Sequence, residues 1–216
     1  MSTARPRGRP PVPRDRIIDT ALQIVDEDGV DALSMRSLAQ RLESGTATLY
    51  RHFANRGEVI AHVVDRMFAK VEINAEDLAG MGWQRACQSF ALATFEVLRR
   101  HRNVACLLAE QAPIGPQAMA HRERVLATLL DNGFSPKLAA QTYATLARYI
   151  LGFAIQLTSS ESDDAQLAKH FHALDPESFP ATRTVADHLP VPLEQEFMLG
   201  LELILDGLAK VRRRGE

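Results

Sequence analysis

Wherever apolar residues recur in this chain they do so at intervals of three and four, and no segment of useful length alternates at the strand period of two. That pattern predicts an all-α fold. Ile17, Ile18, Ala21, Leu22 and Val25 predict a helix over about 15–28, stopped by Gly29. Ser34 stands as an N-cap before Met35, Leu38, Ala39 and Leu42, a second helix over about 34–42. Glu43, Ser44 and Gly45 interrupt the pattern, and Thr46 to Phe53 resume it with Leu49 and Phe53 on one face. Two short helices joined by three residues form a helix-turn-helix signal. After a break at Asn55-Arg56-Gly57, Val59, Ile60, Val63, Val64, Met67 and Val71 predict a fourth helix. The first 70 residues thus read as one four-helix unit.

Longer helices follow, over about 83–101, 117–132 and 136–159, with a short apolar piece from Val104 to Glu110 after the first. Ser135 and Pro136 are an N-cap and first-turn pair. The 136–159 segment is apolar nearly all round, which implies burial on several sides. Residues 160–192 are polar and carry Pro176, Pro180, Pro190 and Pro192. They read as a long mobile connection in which only Asp164 to Leu174 has helical character. The last helix, Leu193 to about Arg213, has an apolar stripe wide for the surface helix of a monomer. The expected organisation is an arm over 1–13, a helix-turn-helix domain over 14–70 and a larger helical domain over 71–216.

With 46% hydrophobic and 24% charged residues, the composition argues against disorder, collagen and a coiled-coil rod. The longest apolar candidate for a membrane span, Tyr149 to Leu157, has half the needed length, so no membrane partner is expected. No apolar stretch backs the N-terminal arginines, which argues against a secretory signal. Cys87 and Cys106 supply neither a disulfide framework nor zinc-ligand spacing. Reducing cytoplasm is the expected location. Charge is uneven: Arg5, Arg7, Arg9, Arg14 and Arg16 stand against Asp15 alone, which marks the N-terminal end as the side for a polyanion.

The residues from Leu33 to Leu42 (LSMRSLAQRL), then Thr48-Leu49-Tyr50-Arg51-His52-Phe53 and Asn55-Arg56, resemble the DNA-binding domain of TetR-family transcriptional regulators. His101-Arg102, the turn Asn132-Gly133-Phe134-Ser135 and Phe197 to Leu208 resemble the tetracycline-repressor branch of that family. In a helix-turn-helix the second helix enters the major groove. Thr46, Ala47, Thr48, Tyr50, Arg51 and His52 are therefore expected at the DNA, with Arg51 reading guanine through a bidentate contact. The resemblance adds Ser34, Arg36, Tyr50, His52 and Arg56 as phosphate contacts. Two departures stand out. The family usually has glycine where this chain has Glu43, at a cost of about 1–2 kcal/mol if the backbone there is left-handed. It favours lysine where this chain has Arg56. In the arm, Arg7 and Arg9 flank Gly8, and either enter a narrow minor groove or form a tail that raises nonspecific affinity.

His170 and His172, among acidic residues, read as a solvated loop rather than a metal site, and no motif with catalytic spacing occurs, so no enzyme, metal or cofactor is expected. In the tetracycline-repressor branch a histidine, an arginine and further polar groups hold magnesium-bound tetracycline. The matched stretch after His101-Arg102 lacks such groups from Leu107 to Pro113, so neither tetracycline nor magnesium is carried over. An apolar pocket is expected to be lined by Phe90, Phe95, Leu108, Met119, Tyr143, Tyr149 and Phe153, with Glu110 and Gln111 as polar markers; each of these residues has plain core packing as its alternative. Taken together, these readings imply a ligand-responsive repressor that binds a palindromic operator in double-stranded DNA. It would act as a homodimer joined through the 136–159 helix and the last helix, and respond to a small-molecule effector of unknown identity. The alternative is a ligand-independent nucleoid-associated or helical interaction factor with the same DNA-binding domain.

Overall fold

The computed structural model describes residues 12–73, 82–110, 112–157 and 161–214. The arm arginines Arg7 and Arg9, Gln111 and the Glu110 side chain lie outside the described residues. Among those described, every regular element is helical. The chain forms two compact units. One holds residues up to Lys70 together with Asn103–Ala120, the other Val71–Arg102 together with His121–Glu216.

In the first unit, α1 (Arg14–Asp28) buries Ile17, Ile18, Ala21, Leu22, Ile24 and Val25 and ends at Gly29, whose φ of 86° a side chain would strain. A single 3-10 turn (Val30–Ala32) leads to α2 (Met35–Arg41). Ser34 caps α2 reciprocally. Its Oγ accepts the Ser37 N–H at 3.0 Å, while the Ser37 Oγ accepts the Ser34 N–H at 2.9 Å. Then come α3 (Thr46–Tyr50) and α4 (Arg56–Phe68), the latter capped by the Asn55 side chain, which accepts the Glu58 N–H at 3.0 Å. Arg66 on α4 pairs with Asp15 and Asp19 on α1, and Arg41 on α2 with Glu27 and Asp28.

The expected continuous domain over 71–216 is interrupted, because 103–120 packs with the first unit. The cause is polar satisfaction across long sequence distance. The Asn103 side-chain amide donates to the Val25 carbonyl at 2.8 Å. The short piece Val104–Glu110 is a helix, α6, packed on α4. One carboxylate oxygen of Asp65 on α4 accepts the N–H groups of Gln117 at 2.9 Å and Ala118 at 3.2 Å, in the first turn of α7 (Pro116–Asp131).

The second unit packs α5 (Trp83–Arg100), α8 (Pro136–Gln156) and α11 (Leu193–Arg214) around an aromatic cluster. Phe95 of α5 stacks on Phe197 of α11 at 4.2 Å between ring centroids, and Tyr149 and Phe153 of α8 lie 5.2 and 5.4 Å from the same ring. The Tyr149 hydroxyl donates to the Phe197 carbonyl at 2.7 Å. Residues 161–188, expected as a mobile connection, are largely helical: α9 (Glu161–Ala173), α10 (Pro180–Thr184) and a 3-10 turn, Ala186–His188. Polar capping rather than apolar periodicity holds them, which is why the sequence pattern concealed it. The Asp175 carboxylate accepts the Ser178 N–H at 3.0 Å, the Arg183 guanidinium donates to the His172 carbonyl, and Ala186 is buried.

Candidate nucleic-acid interface and effector crevice

The α2–α3 turn decides what α3 presents. The Ser44 N–H donates to the Ala39 carbonyl and the Glu43 N–H to the Gln40 carbonyl, both at 2.9 Å, a pattern that closes a helix through a left-handed residue. That residue is Glu43, with φ of 48°. The missing glycine noted in the sequence therefore leaves the turn geometry intact and strains the side chain that occupies it. On α3, Leu49 is 0% and the following Phe53 1% exposed, so both anchor the helix as their spacing predicted. Thr46, Ala47, Tyr50 and Arg51 are exposed, and Thr48 and His52 are half-buried. The Arg51 guanidinium donates to the Thr48 hydroxyl at 3.3 Å, which lays it along the exposed face. Tyr50, 56% exposed, is a large apolar ring in water beside these polar groups.

Among the phosphate-contact residues, Arg36 is exposed on the first turn of α2. The Ser34 hydroxyl is engaged in capping that helix. Arg56 differs most from its expectation. Its Nε donates to the Leu33 carbonyl at 2.6 Å and its Nη2 to the Val30 carbonyl at 2.8 Å, so the guanidinium ties the 3-10 turn to α4. Two carbonyls at different angles suit a planar fork better than a single ammonium, a physical use for arginine where the family favours lysine.

Beneath this face, Arg14 donates to His62 Nε2 at 2.6 Å and lies over the Phe53 ring, 5.2 Å from its centroid. Burial first, and then the Arg14 charge, hold His62 below its usual range, so the ring stays neutral and accepts. Asp65, one turn along α4 from His62, accepts the first-turn amides of α7. Gly115 makes that possible, because a Cβ there would collide with the Asp65 carboxylate and sit 2.7 Å from its Cβ.

The second unit contains a narrow crevice. Its walls are Ile73, Ala86, Cys87 and Phe90 on one side and His121, Arg124, Val125 and Thr128 of α7 on the other. Of the residues expected to line a pocket, Phe90 does so. Phe95, Tyr149 and Phe153 form the aromatic core described above, and Tyr143 lies under the Arg122 guanidinium at 5.3 Å. Leu108 and Met119 belong to the other unit. Sequence reasoning missed His121 and Arg124. Their signal was the spacing 121, 124, 125, 128, one face of α7. His121 is 3% exposed, and Arg124 donates to its Nδ1 and to the Ile73 carbonyl, each at 3.3 Å. Burial pushes the Cys87 thiol up to about 12, so it stays an uncharged S–H. Among the described residues no group of three or more His, Cys, Asp or Glu side chains gathers as metal ligands would, and no helix is long and apolar enough to cross a membrane.

Residues 17–63 match the family described as bacterial regulatory proteins, tetR family, and residues 77–212 match the tetracyclin repressor-like C-terminal domain. The chain belongs to the TetR family. TetR-family members are transcriptional regulators, and this chain is a DNA-binding transcriptional regulator. It is 30% identical to the HTH-type transcriptional repressor DrrR1 of Streptomyces coeruleorubidus, over 99% of this chain and 85% of that one. The crystal structure of apo ActR from Streptomyces coelicolor superposes with a TM-score of 0.86 at 31% identity, covering 96% of this chain and all of ActR. ActR in complex with actinorhodin superposes with a TM-score of 0.84, also at 31% identity, over 94% and 99% of the two chains.

Proposed function

We propose that this TetR-family protein is a homodimeric repressor that reads a palindromic operator through α3 and leaves it when a small molecule occupies the crevice of the second unit. The observation that carries the DNA-reading half is the partition of α3: Leu49 and Phe53 buried, Thr46, Ala47, Tyr50 and Arg51 exposed side by side. Arg51 reads guanine O6 and N7, Thr46, Ala47 and Thr48 offer hydroxyl and methyl contacts to thymine, and Arg36, Tyr50 and His52 hold phosphates that fix register. Ser34 supplies its helix terminus, and Arg56 acts by bracing the turn. The arm arginines Arg7 and Arg9 add minor-groove or backbone contacts.

The dimer reading is supported by Leu199, Leu203 and Val211 of α11, which are 59, 63 and 50% exposed and are spaced by four and eight residues along one side of the helix. Ile155 of α8, 39% exposed, adds a further apolar side chain. One five-residue helix reads few base pairs, so two-fold symmetry and half-sites about one helical turn apart are what make an operator specific. Release requires that the effector bind one dimer state better than the other, because equal affinity shifts nothing. Actinorhodin bound to ActR supports a small-molecule effector here too. A ligand-independent nucleoid factor is the weaker reading, since it has no use for a crevice carrying His121 and Arg124. The protein acts in the cytoplasm, beside its DNA.

Selection of random duplex DNA with the purified full chain at near-physiological salt tests the reading. A recovered palindrome with arms about 10 bp apart is expected. A pool that stays random while binding remains strong and salt-sensitive overturns it in favour of nonspecific binding.

A further inference from the structure

We propose that Arg14 is a positioning residue for DNA reading: held by His62, its guanidinium covers the Phe53 ring and so fixes how α3 meets the bases. Sequence alone groups Arg14 with the arginines that mark the side for a polyanion. The structure turns it back onto its own unit. As the first residue of α1 it donates to His62 Nε2 at 2.6 Å, lies 5.2 Å from the centroid of the Phe53 ring and reaches the Glu58 carboxylate at 3.9 Å. His62 meets the same ring edge-on, with centroids 5.5 Å apart. Phe53 is thus held from α1 and α4 at once. That hold passes to α3 through the backbone, since the N–H groups of His52 and Phe53 donate to the Leu49 carbonyl at 2.9 and 3.0 Å. A helix of five residues has little stability of its own, so its buried anchors Leu49 and Phe53 set its direction.

Arginine only donates, so the neutral His62 ring offers its lone pair at Nε2 and carries its proton on Nδ1. A second proton sets donor against donor and cation against cation at 2.6 Å, and Arg14 leaves the ring. The contact is therefore proton-sensitive, as a simple phosphate contact by Arg14 is not. His62 is half-buried and lines an open concavity, so water reaches it. The charged groups around it are Arg14 and Asp15 on α1 and Glu58, Asp65 and Arg66 on α4, while α7 contributes the uncharged Gln117. The carboxylates already have partners: Glu58 accepts the Ala54 N–H at 2.6 Å, Asp65 accepts the amides of α7, and Asp15 pairs with Arg66. Arg14 is the cation bonded directly to the ring, so a proton on His62 acts first on the contact that covers Phe53.

The full chain is titrated with the duplex recovered by selection and with a scrambled duplex, at constant ionic strength, from about pH 7.5 to about pH 5. The ratio of the two affinities is the readout. Unfolding removes active protein from both duplexes alike, and a proton on His52 strengthens phosphate contact in both, so neither moves the ratio. In the wild type the ratio is expected to fall at least about fivefold toward the acid end, the low end for one lost base contact. Arg14→Met is expected to show that fall already at the neutral end, with no further change on acidification and with binding to the scrambled duplex near the wild-type level. His62→Gln keeps an acceptor that takes up no proton, so its ratio is expected to stay high throughout. Equal losses on both duplexes in Arg14→Met make Arg14 a phosphate contact and overturn the proposal. A wild-type ratio that is flat with pH, or one that falls as far in His62→Gln, overturns it too, and that comparison stands even if Arg14→Met does not fold. A wild type with no preference for the selected duplex defeats the operator reading and this proposal together, whereas a preference that Arg14→Met leaves intact defeats the proposal alone.

Discussion

Glu43 is the place where this chain departs from glycine, and its cost can be worked from the backbone. At φ of 48° a residue with a Cβ sits in the left-handed region, at about 1–2 kcal/mol above its ordinary conformation. Glu43→Gly removes that strain, and the extra freedom glycine gives the unfolded chain takes back about 0.4–1 kcal/mol. The expected net stabilisation of the first unit is about 0.5–1 kcal/mol. Glu43→Ala separates backbone from charge. It keeps the Cβ and the strain but removes a carboxylate from a helix C-terminus, where negative charge is disfavoured by a few tenths of a kcal/mol. The same chain holds an internal comparison. At the end of α7 the Phe134 N–H donates to the Leu129 carbonyl and the Gly133 N–H to the Leu130 carbonyl, the same closing pattern, with glycine at φ of 81°. A Cβ at Gly133 meets only ordinary contact with Arg212 Nη2 at 3.8 Å, so Gly133→Ala adds strain and no clash. Native-state hydrogen exchange of the full chain, read at the amides of Leu42 and Ser44, is the assay. Protection is expected to rise about two- to fivefold in Glu43→Gly and less in Glu43→Ala, and to fall by a comparable factor at Phe134 in Gly133→Ala. Glu43→Gly and Glu43→Ala with indistinguishable protection would refute the strain argument.

Arg51→Ala is expected to cost about 1–3 kcal/mol on the selected duplex and much less on a scrambled one, as measured by titration of both; equal losses remove Arg51 from base reading. Gly115→Ala is expected to destabilise the first unit by about 1–3 kcal/mol through collision with Asp65, and Asp65→Ala in the same chain to lose part of that penalty. Additive effects in the double-mutant cycle, read by hydrogen exchange at Ala118, count against the contact. His62 is neutral in the folded unit with a value below the usual 6.5, so below that pH the unfolded chain takes up a proton that the folded unit resists. Stability of the first unit is therefore complete above about pH 6.5 and falls as the pH drops from there through the folded value. His62→Gln is expected to flatten that fall in unfolding experiments between about pH 7.5 and 5.5; an unchanged slope assigns it to other groups.

The sequence by itself determined what depends on near neighbours. Apolar spacing of three and four placed the helices, Ser34, Asn55 and Ser135 cap theirs through partners three residues away, and Leu49 and Phe53 face inward because a helix puts them on one side. Resemblance to the family, which usually has glycine there, marked Glu43 as the residue where a left-handed backbone was at issue. The tertiary structure decided whatever joins distant segments. Asp65 finds the amides of α7 across 52 residues of chain, Arg56 finds the carbonyls of Leu33 and Val30, and Phe197 gathers Phe95, Tyr149 and Phe153 into a core that sequence alone left open as a pocket. Residues 161–188 fold through capping by Asp175 and Arg183 that leaves no apolar period to read. The division has one physical cause. Helix periodicity and capping are fixed by bonds a few residues long, whereas a long side chain takes the partner that packing brings to it, and only the folded chain defines that partner.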